Sequence, residues 1–99
     1  MSILRIISFL IILFSTSLHA RDYIIVQSTT STVNTGLLDI LSQQYFLETG
    51  IEVRSIAVGT GTAIANAKKG DGDILIVHSK SDELKFIEDG FGVERFDLM

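Results

Sequence analysis

Cysteine is absent from the 99 residues, so no disulfide framework holds this small chain together. Basic clusters are scarce as well. No Lys/Arg run exceeds Lys68-Lys69, and the formal net charge is −4. That balance excludes nucleic acid as a partner and disfavours an anionic membrane surface. Long apolar runs are missing too. The most apolar stretch, Ile6–Phe14, is broken by Ser8 and falls well short of the roughly 20 residues a spanning helix needs. There is no internal repeat and no low-complexity tract. Charge of either sign is absent from two particular stretches, Ser28–Gly36 and Gly59–Ala67.

What is present begins with a leader. Arg5 gives a short positive start, the apolar stretch follows, and Ser15–Ala20 descends to a small residue. This is the plan of a secretory signal peptide over residues 1–20, cleaved after Ala20. No cysteine near Ala20 can take a lipid anchor, so the expected product is soluble. A periplasm retains such a protein where a single-membrane cell would lose it. Removing the leader takes away Arg5 and no acidic residue, which moves the net charge from −4 to −5. An anion site on this chain must therefore rely on local donors.

From residue 21 the pattern alternates between strand and helix. Tyr23–Val26 is a β-branched apolar run that predicts a strand buried on both faces. Leu37, Leu38, Leu41 and Tyr45 recur at helical spacing, and Thr49-Gly50 ends that helix. Ile51–Arg54 alternates as a half-exposed strand does, and Ser55–Val58 continues it. Ala63–Lys69 predicts a short helix stopped by Gly70. Asp73–Val77 predicts a third strand, apolar on both faces. Ser81 is placed to cap a last helix with Leu84, Ile87 and Phe91 on its buried side. Strand and helix thus repeat three times, which predicts a three-layer α/β fold on a parallel sheet. The half-exposed second strand belongs at an edge and the third inside, giving a local order of 2-1-3. Ligands bind such sheets outside the carboxyl ends of the strands, near the point where the order reverses.

Two turns fall on that rim. Val26–Gly36 carries six hydroxyls, on Ser28, Thr29, Thr30, Ser31, Thr32 and Thr35. Gly59-Thr60-Gly61-Thr62 opens the next helix. The first N–H groups of a helix lack intrahelical partners and carry the positive end of its dipole, so an anion placed there meets several donors. Gly59 and Gly61 leave room for close approach; Thr60 and Thr62 add hydroxyls. Single hydroxyls at helix starts are ordinary N-caps, but six in one turn exceed what capping requires. Neither known phosphate pattern fits. Ile64 stands where the dinucleotide fingerprint wants its last small residue, and there is no nucleotide P-loop. A site of neutral donors suits a fully deprotonated oxyanion, which offers only acceptors. No cofactor and no metal site are expected. Asp71 and Asp73 hint at calcium, but the other oxygen ligands are missing, and they read as turn and strand start. A hydrolase built from His78 with Ser28 or Ser31, and Asp73 or Asp82, lacks the G-x-S-x-G elbow.

The segments STTSTVNTGLLDIL and TGIEVRSIAVGTGTAIANAKKGDGDILIVHS resemble the tungstate-binding proteins of ABC importers, in the type II periplasmic binding protein superfamily. The resemblance runs from Tyr23 to Met99. It implies two α/β lobes that close over one tetrahedral oxyanion and dock on a membrane permease, without catalysis. Carried over by position, it implies that Thr29, Thr30 and Ser31 form one donor group. It likewise implies that Thr60, Gly61 and Thr62 form the second, with Val77 and His78 near the cleft. The family's second lobe, with its Ser-Arg-Gly-Asp type motif, has no counterpart in these residues. Residues 21–99 are accordingly expected to be the N-terminal part of a PBP-like substrate-binding domain, an incomplete first lobe. Molybdate, sulfate or phosphate are the alternative ligands, and a nonfunctional fragment and the serine hydrolase are the alternative readings.

Overall fold

β1 covers Tyr23–Thr29 and is the spine of the fold. The computed structural model describes residues 22–98, and the expected leader over residues 1–20 lies outside the described residues. After β1 come α1 (Thr30–Asn34), α2 (Leu37–Thr49), β2 (Glu52–Val58), α3 (Thr60–Lys68), β3 (Ile74–Ile76) and α4 (Lys80–Glu88). The three strands form a parallel sheet in the order β2-β1-β3, the order that the polarity pattern predicts.

Registers fix which loops meet. β1 pairs with β2 from Tyr23↔Glu52 to Thr29↔Val58. It pairs with β3 from Val26↔Ile74 to Ser28↔Ile76. A parallel pair with no offset at its carboxyl end delivers the following residues side by side. Thr30, which opens α1, and Gly59, which caps α3, therefore leave the sheet as neighbours, and His78 leaves beside them.

β1 is three residues longer than the apolar pattern indicates. Gln27, Ser28 and Thr29 continue the strand and are buried. Polar side chains stay in a core when every hydrogen-bonding group is satisfied, and these are. Ser28 Oγ donates to the Ile76 carbonyl at 2.7 Å. Gln27 Nε2 donates to the Asp71 carbonyl at 2.7 Å, and Asn66 Nδ2 donates to Gln27 Oε1 at 3.2 Å.

Among the described residues the apolar core is small: Val26, Leu38, Ala63 and Phe86 are its buried members. Ala63 seats α3 on β1, and α2 lies against β2. Several faces expected to be buried are open. On α2, Leu38 is buried, whereas Leu41 is 44% and Tyr45 38% exposed. On α4 the buried residue is Phe86, not Leu84 or Phe91, which are about half exposed. Phe86 wins because the tail crosses it: its ring lies 5.8 Å from that of Phe91, and Gly92 presses against it so closely that a Cβ there would come within 2.9 Å of Phe86 ring carbons.

Two further boundaries move. α4 starts two residues earlier than a Ser81 cap would place it, with Ser79 as N-cap; the Ser79 hydroxyl donates to Asp82 Oδ2 at 2.7 Å and draws the first turn in. β3 is three residues long and, among the described residues, lies at an edge rather than inside. Asp73 replaces the strand's first rung: its N–H donates to the Ile25 carbonyl at 2.8 Å, and Oδ2 accepts from the Ile25 N–H at 2.8 Å. That is the strand-start role the sequence assigns to it.

Candidate oxyanion-binding rim

The hydroxyl-rich segment is not a loop throughout. Its first two hydroxyls end β1, and the next five residues, Thr30–Asn34, form the helical turn α1. Threonine and valine are indifferent helix formers because their branched side chains lose rotamer freedom. The cap compensates. Thr29 has extended backbone at φ −111°, ψ 156°, and its Oγ1 accepts from the Thr32 N–H at 3.3 Å. Gly36 then turns the chain into α2 with φ 79°, a left-handed conformation that glycine adopts without strain.

Four polar groups form a chain along the top of α1. Thr29 Oγ1 lies 2.8 Å from Thr32 Oγ1 and 3.2 Å from Ser31 Oγ. Ser31 Oγ lies 3.2 Å from His78 Nε2. Thr29 is buried, 3% exposed, whereas Thr30, Ser31 and His78 face solvent. Thr29 therefore holds the turn from beneath, and Thr30 and Ser31 present outward.

The second turn offers backbone donors. Gly59 is the N-cap of α3 and brings no side chain to satisfy its first amides. The first intrahelical bond runs from the Ala63 N–H to the Gly59 carbonyl at 2.9 Å, so the N–H groups of Thr60, Gly61 and Thr62 precede it. Thr60 is half-buried; Gly61 and Thr62 are exposed. Neither Gly59 nor Gly61 is required by the backbone, since neither has positive φ. Nor does packing demand them, because a Cβ at either position would meet nothing within 4 Å. Among the reasons for glycine, room for something arriving from outside is the one that fits both.

The six residues singled out in the sequence thus occupy one rim at the carboxyl ends of β1 and β2. His78 joins it from β3, in a role that residue spacing alone does not specify. The signal was the strand order: in a 2-1-3 sheet the residue following β3 stands beside the residue following β1. His78 is expected near the cleft and is found there; Gln27, a polar residue at the end of an apolar run, is the one that the pattern does not single out.

The hydrolase constellation does not assemble. Ser28 is buried and donates to the Ile76 carbonyl. Ser31 and His78 do meet, but the proposed third members are engaged elsewhere, Asp73 with the Ile25 amide and Asp82 with Ser79. A separate groove of about 260 Å³ between α3 and α4, lined by Gly61, Ile64, Lys68, Asp82, Lys85 and Phe86, shares only Gly61 with the rim residues.

Comparison with known proteins gives a consistent picture. A family model described as a PBP superfamily domain matches residues 15–99. The tungstate-binding protein TupA of Peptoclostridium acidaminophilum is 48% identical over 81 residues, which cover 82% of this chain and 28% of that protein. The chain therefore spans less than a third of this relative's length. The solved structure of the tungstate binding protein TupA from Desulfovibrio alaskensis G20 aligns with a TM-score of 0.69 at 48% identity, covering 74% of this chain and 29% of that one. The crystal structure of the tungstate ABC transporter from Geobacter sulfurreducens aligns at 0.72 and 39% identity, covering 77% of this chain and 33% of that one.

Proposed function

This chain belongs to the PBP superfamily, and on that premise we propose that it supplies one donor-bearing lobe of an ABC importer's substrate-binding component. The ligand is a tetrahedral oxyanion, with tungstate first among the candidates because it is the ligand named for close relatives. Residues 21–99 act as the N-terminal part of a PBP-like substrate-binding domain, the leader directs export to the periplasm, and an inner-membrane permease receives the cargo. The chain carries out no chemistry on its ligand.

One observation supports this reading above the others: the Thr29↔Val58 register starts two helical turns side by side. Thr30 and Ser31 then offer hydroxyls and amides from one turn, and Thr60, Gly61 and Thr62 from the other, with Thr29 fixing the first. A dianion bound there exchanges water for several charge-assisted hydrogen bonds, each stronger than a neutral pair. No cation on either turn is needed for attraction; selection comes from matching acceptor-only oxygens to donor-only groups. Calorimetric titration of the purified chain with tungstate, molybdate, sulfate and phosphate tests it. Binding of tungstate with loss on Ser31→Ala and Thr60→Ala is expected; no heat with any of the four would reject the reading.

A further inference from the structure

Ser31 and His78 lie 47 residues apart in sequence and their polar atoms are 3.2 Å apart. We infer that His78 is a positioning residue that sets the direction of the Ser31 hydroxyl and, through the charge its ring carries when protonated, couples oxyanion capture at the rim to uptake of a proton. The inference rests on the oxyanion reading above.

Proton counting carries the argument. A hydroxyl has one proton to donate. Ser31 Oγ has two neighbours competing for it, Thr29 Oγ1 and His78 Nε2. Thr29 Oγ1 already accepts the Thr32 N–H and contacts Thr32 Oγ1, so its capacity is largely taken. When His78 Nε2 carries no proton it is an acceptor, and the Ser31 proton turns toward the ring. The hydroxyl then presents lone pairs outward, which repel an anion. When Nε2 carries a proton, the ring donates to Ser31 Oγ instead. The Ser31 proton is released for a ligand oxygen.

Nε2 is protonated in the imidazolium and in one neutral tautomer. An anion beside Ser31 favours both forms over the bare-Nε2 tautomer, and favours the imidazolium further by charge. Other charges near the ring are few. α1, which carries Ser31, has none, and neither does α3 before Lys68. On the ring's own side, Lys80 and Asp82 open α4, and the Asp82 carboxylate is engaged by the Ser79 hydroxyl. The imidazolium would bring a positive charge to a rim whose two donor turns carry none. The sign follows directly. Binding raises the proton affinity of His78, so oxyanion affinity rises as pH falls through the range where the ring takes up its proton, and declines above it.

Tungstate at micromolar concentration, titrated into the 99-residue chain at steps between about pH 5 and 8, where histidine ordinarily changes charge, tests the linkage. The wild type should bind more tightly at the acid end. His78→Ala should weaken binding about tenfold there, the scale of one charge-assisted hydrogen bond, and flatten the profile. His78→Gln, whose amide N–H can donate to Ser31 at any pH, should restore much of the affinity while keeping the profile flat. Replacement of an exposed ring is not expected to unfold the chain. A second measurement needs no ligand: in the free protein, Ser31→Ala should alter the ring-nitrogen NMR signals that report the His78 tautomer. Unchanged ring signals would overturn the pairing. A binding wild type with a pH-independent profile, or one matched by His78→Ala, overturns the linkage while leaving the oxyanion reading intact. A wild type that binds at no pH rejects both.

Discussion

Gln27 and Gly72 touch so closely that a Cβ on Gly72 would sit 2.8 Å from Gln27 Cγ. The glutamine cannot step aside. It is 1% exposed, and its amide is held at both ends, by the Asp71 carbonyl and by Asn66. This contact ties β1 to the end of α3 and to the turn that enters β3. It is the anchorage beneath the rim, because Ser28 and Thr29 follow directly on the same strand.

Gly72→Ala should therefore destabilise the chain by about 1–3 kcal/mol, the range for overfilling a packed position. Urea unfolding of Gly72→Ala, Gln27→Ala and the double variant checks it. The double variant should lose less than the sum of the two, since removing Cγ removes the clash. Strict additivity would show that the two residues do not press on one another.

Thr29 is both buried and the cap of α1. Thr29→Val keeps its shape and deletes the oxygen, so the Thr32 amide loses its acceptor and Ser31 loses a neighbour. A cost of about 1 kcal/mol is expected from the lost cap, together with weaker oxyanion binding as Ser31 loses its fixed position. Thr29→Ser, which retains the oxygen, should stay close to wild type in both. Chemical denaturation paired with calorimetry separates the two effects; a Thr29→Val chain of undiminished stability would remove the cap from the account.

Much of this architecture is legible because polarity and geometry agree. Ile51–Arg54 reads as a half-exposed edge strand and Asp73–Val77 as an inner one, and the order that satisfies both is the β2-β1-β3 the structure has, although β3 lies at an edge among the described residues. The rim is legible for the same reason: strand order and the hydroxyl and glycine residues point to one end of the sheet. What escaped is decided by distant partners. Gln27 and Ser28 extend β1 because Asp71, Asn66 and Ile76 satisfy them, and no local propensity encodes that. α1 was invisible because Thr-Ser-Thr-Val-Asn favours helix only once Thr29 caps it. The buried side of α4 was misassigned because Gly92 and Phe91 come back over Phe86, and a helical period cannot anticipate a returning tail.

That tail is held by Arg95. Its Nε lies 3.2 Å from Glu83 Oε1 on α4 and a terminal nitrogen lies 2.8 Å from Asp97 Oδ1. The hydrogen bond to Asp97, with the charges of Asp97 and Glu83, raises the guanidinium above its ordinary pKa. A group whose folded pKa is raised contributes fully below its unfolded value and loses that contribution only as pH climbs through the folded one. For arginine both lie far above neutrality. Any stability difference between wild type and Arg95→Met should therefore stay constant between about pH 7 and 9. Limited proteolysis is the second check: Arg95→Met should be cut within residues 91–98 sooner than wild type. Equal cleavage rates would mean that the tail is held by Phe91 and Gly92 alone.

Gly61 separates a structural role from a functional one most sharply, because the two predict opposite signs. It sits in the first turn of α3 with negative φ and open space where a Cβ would go. Alanine is the better helix former there and reduces the freedom of the unfolded chain, so Gly61→Ala should stabilise by up to about 1 kcal/mol. The same methyl would stand in the space through which an oxyanion reaches the Thr60, Gly61 and Thr62 amides. Affinity for tungstate should fall at least tenfold while the melting temperature rises. Such a pairing of higher stability with lost binding is what a residue kept for ligand access produces. If Gly61→Ala melts higher and binds as well as wild type, the glycine leaves no room that a ligand uses, and the anion must lie against α1 alone.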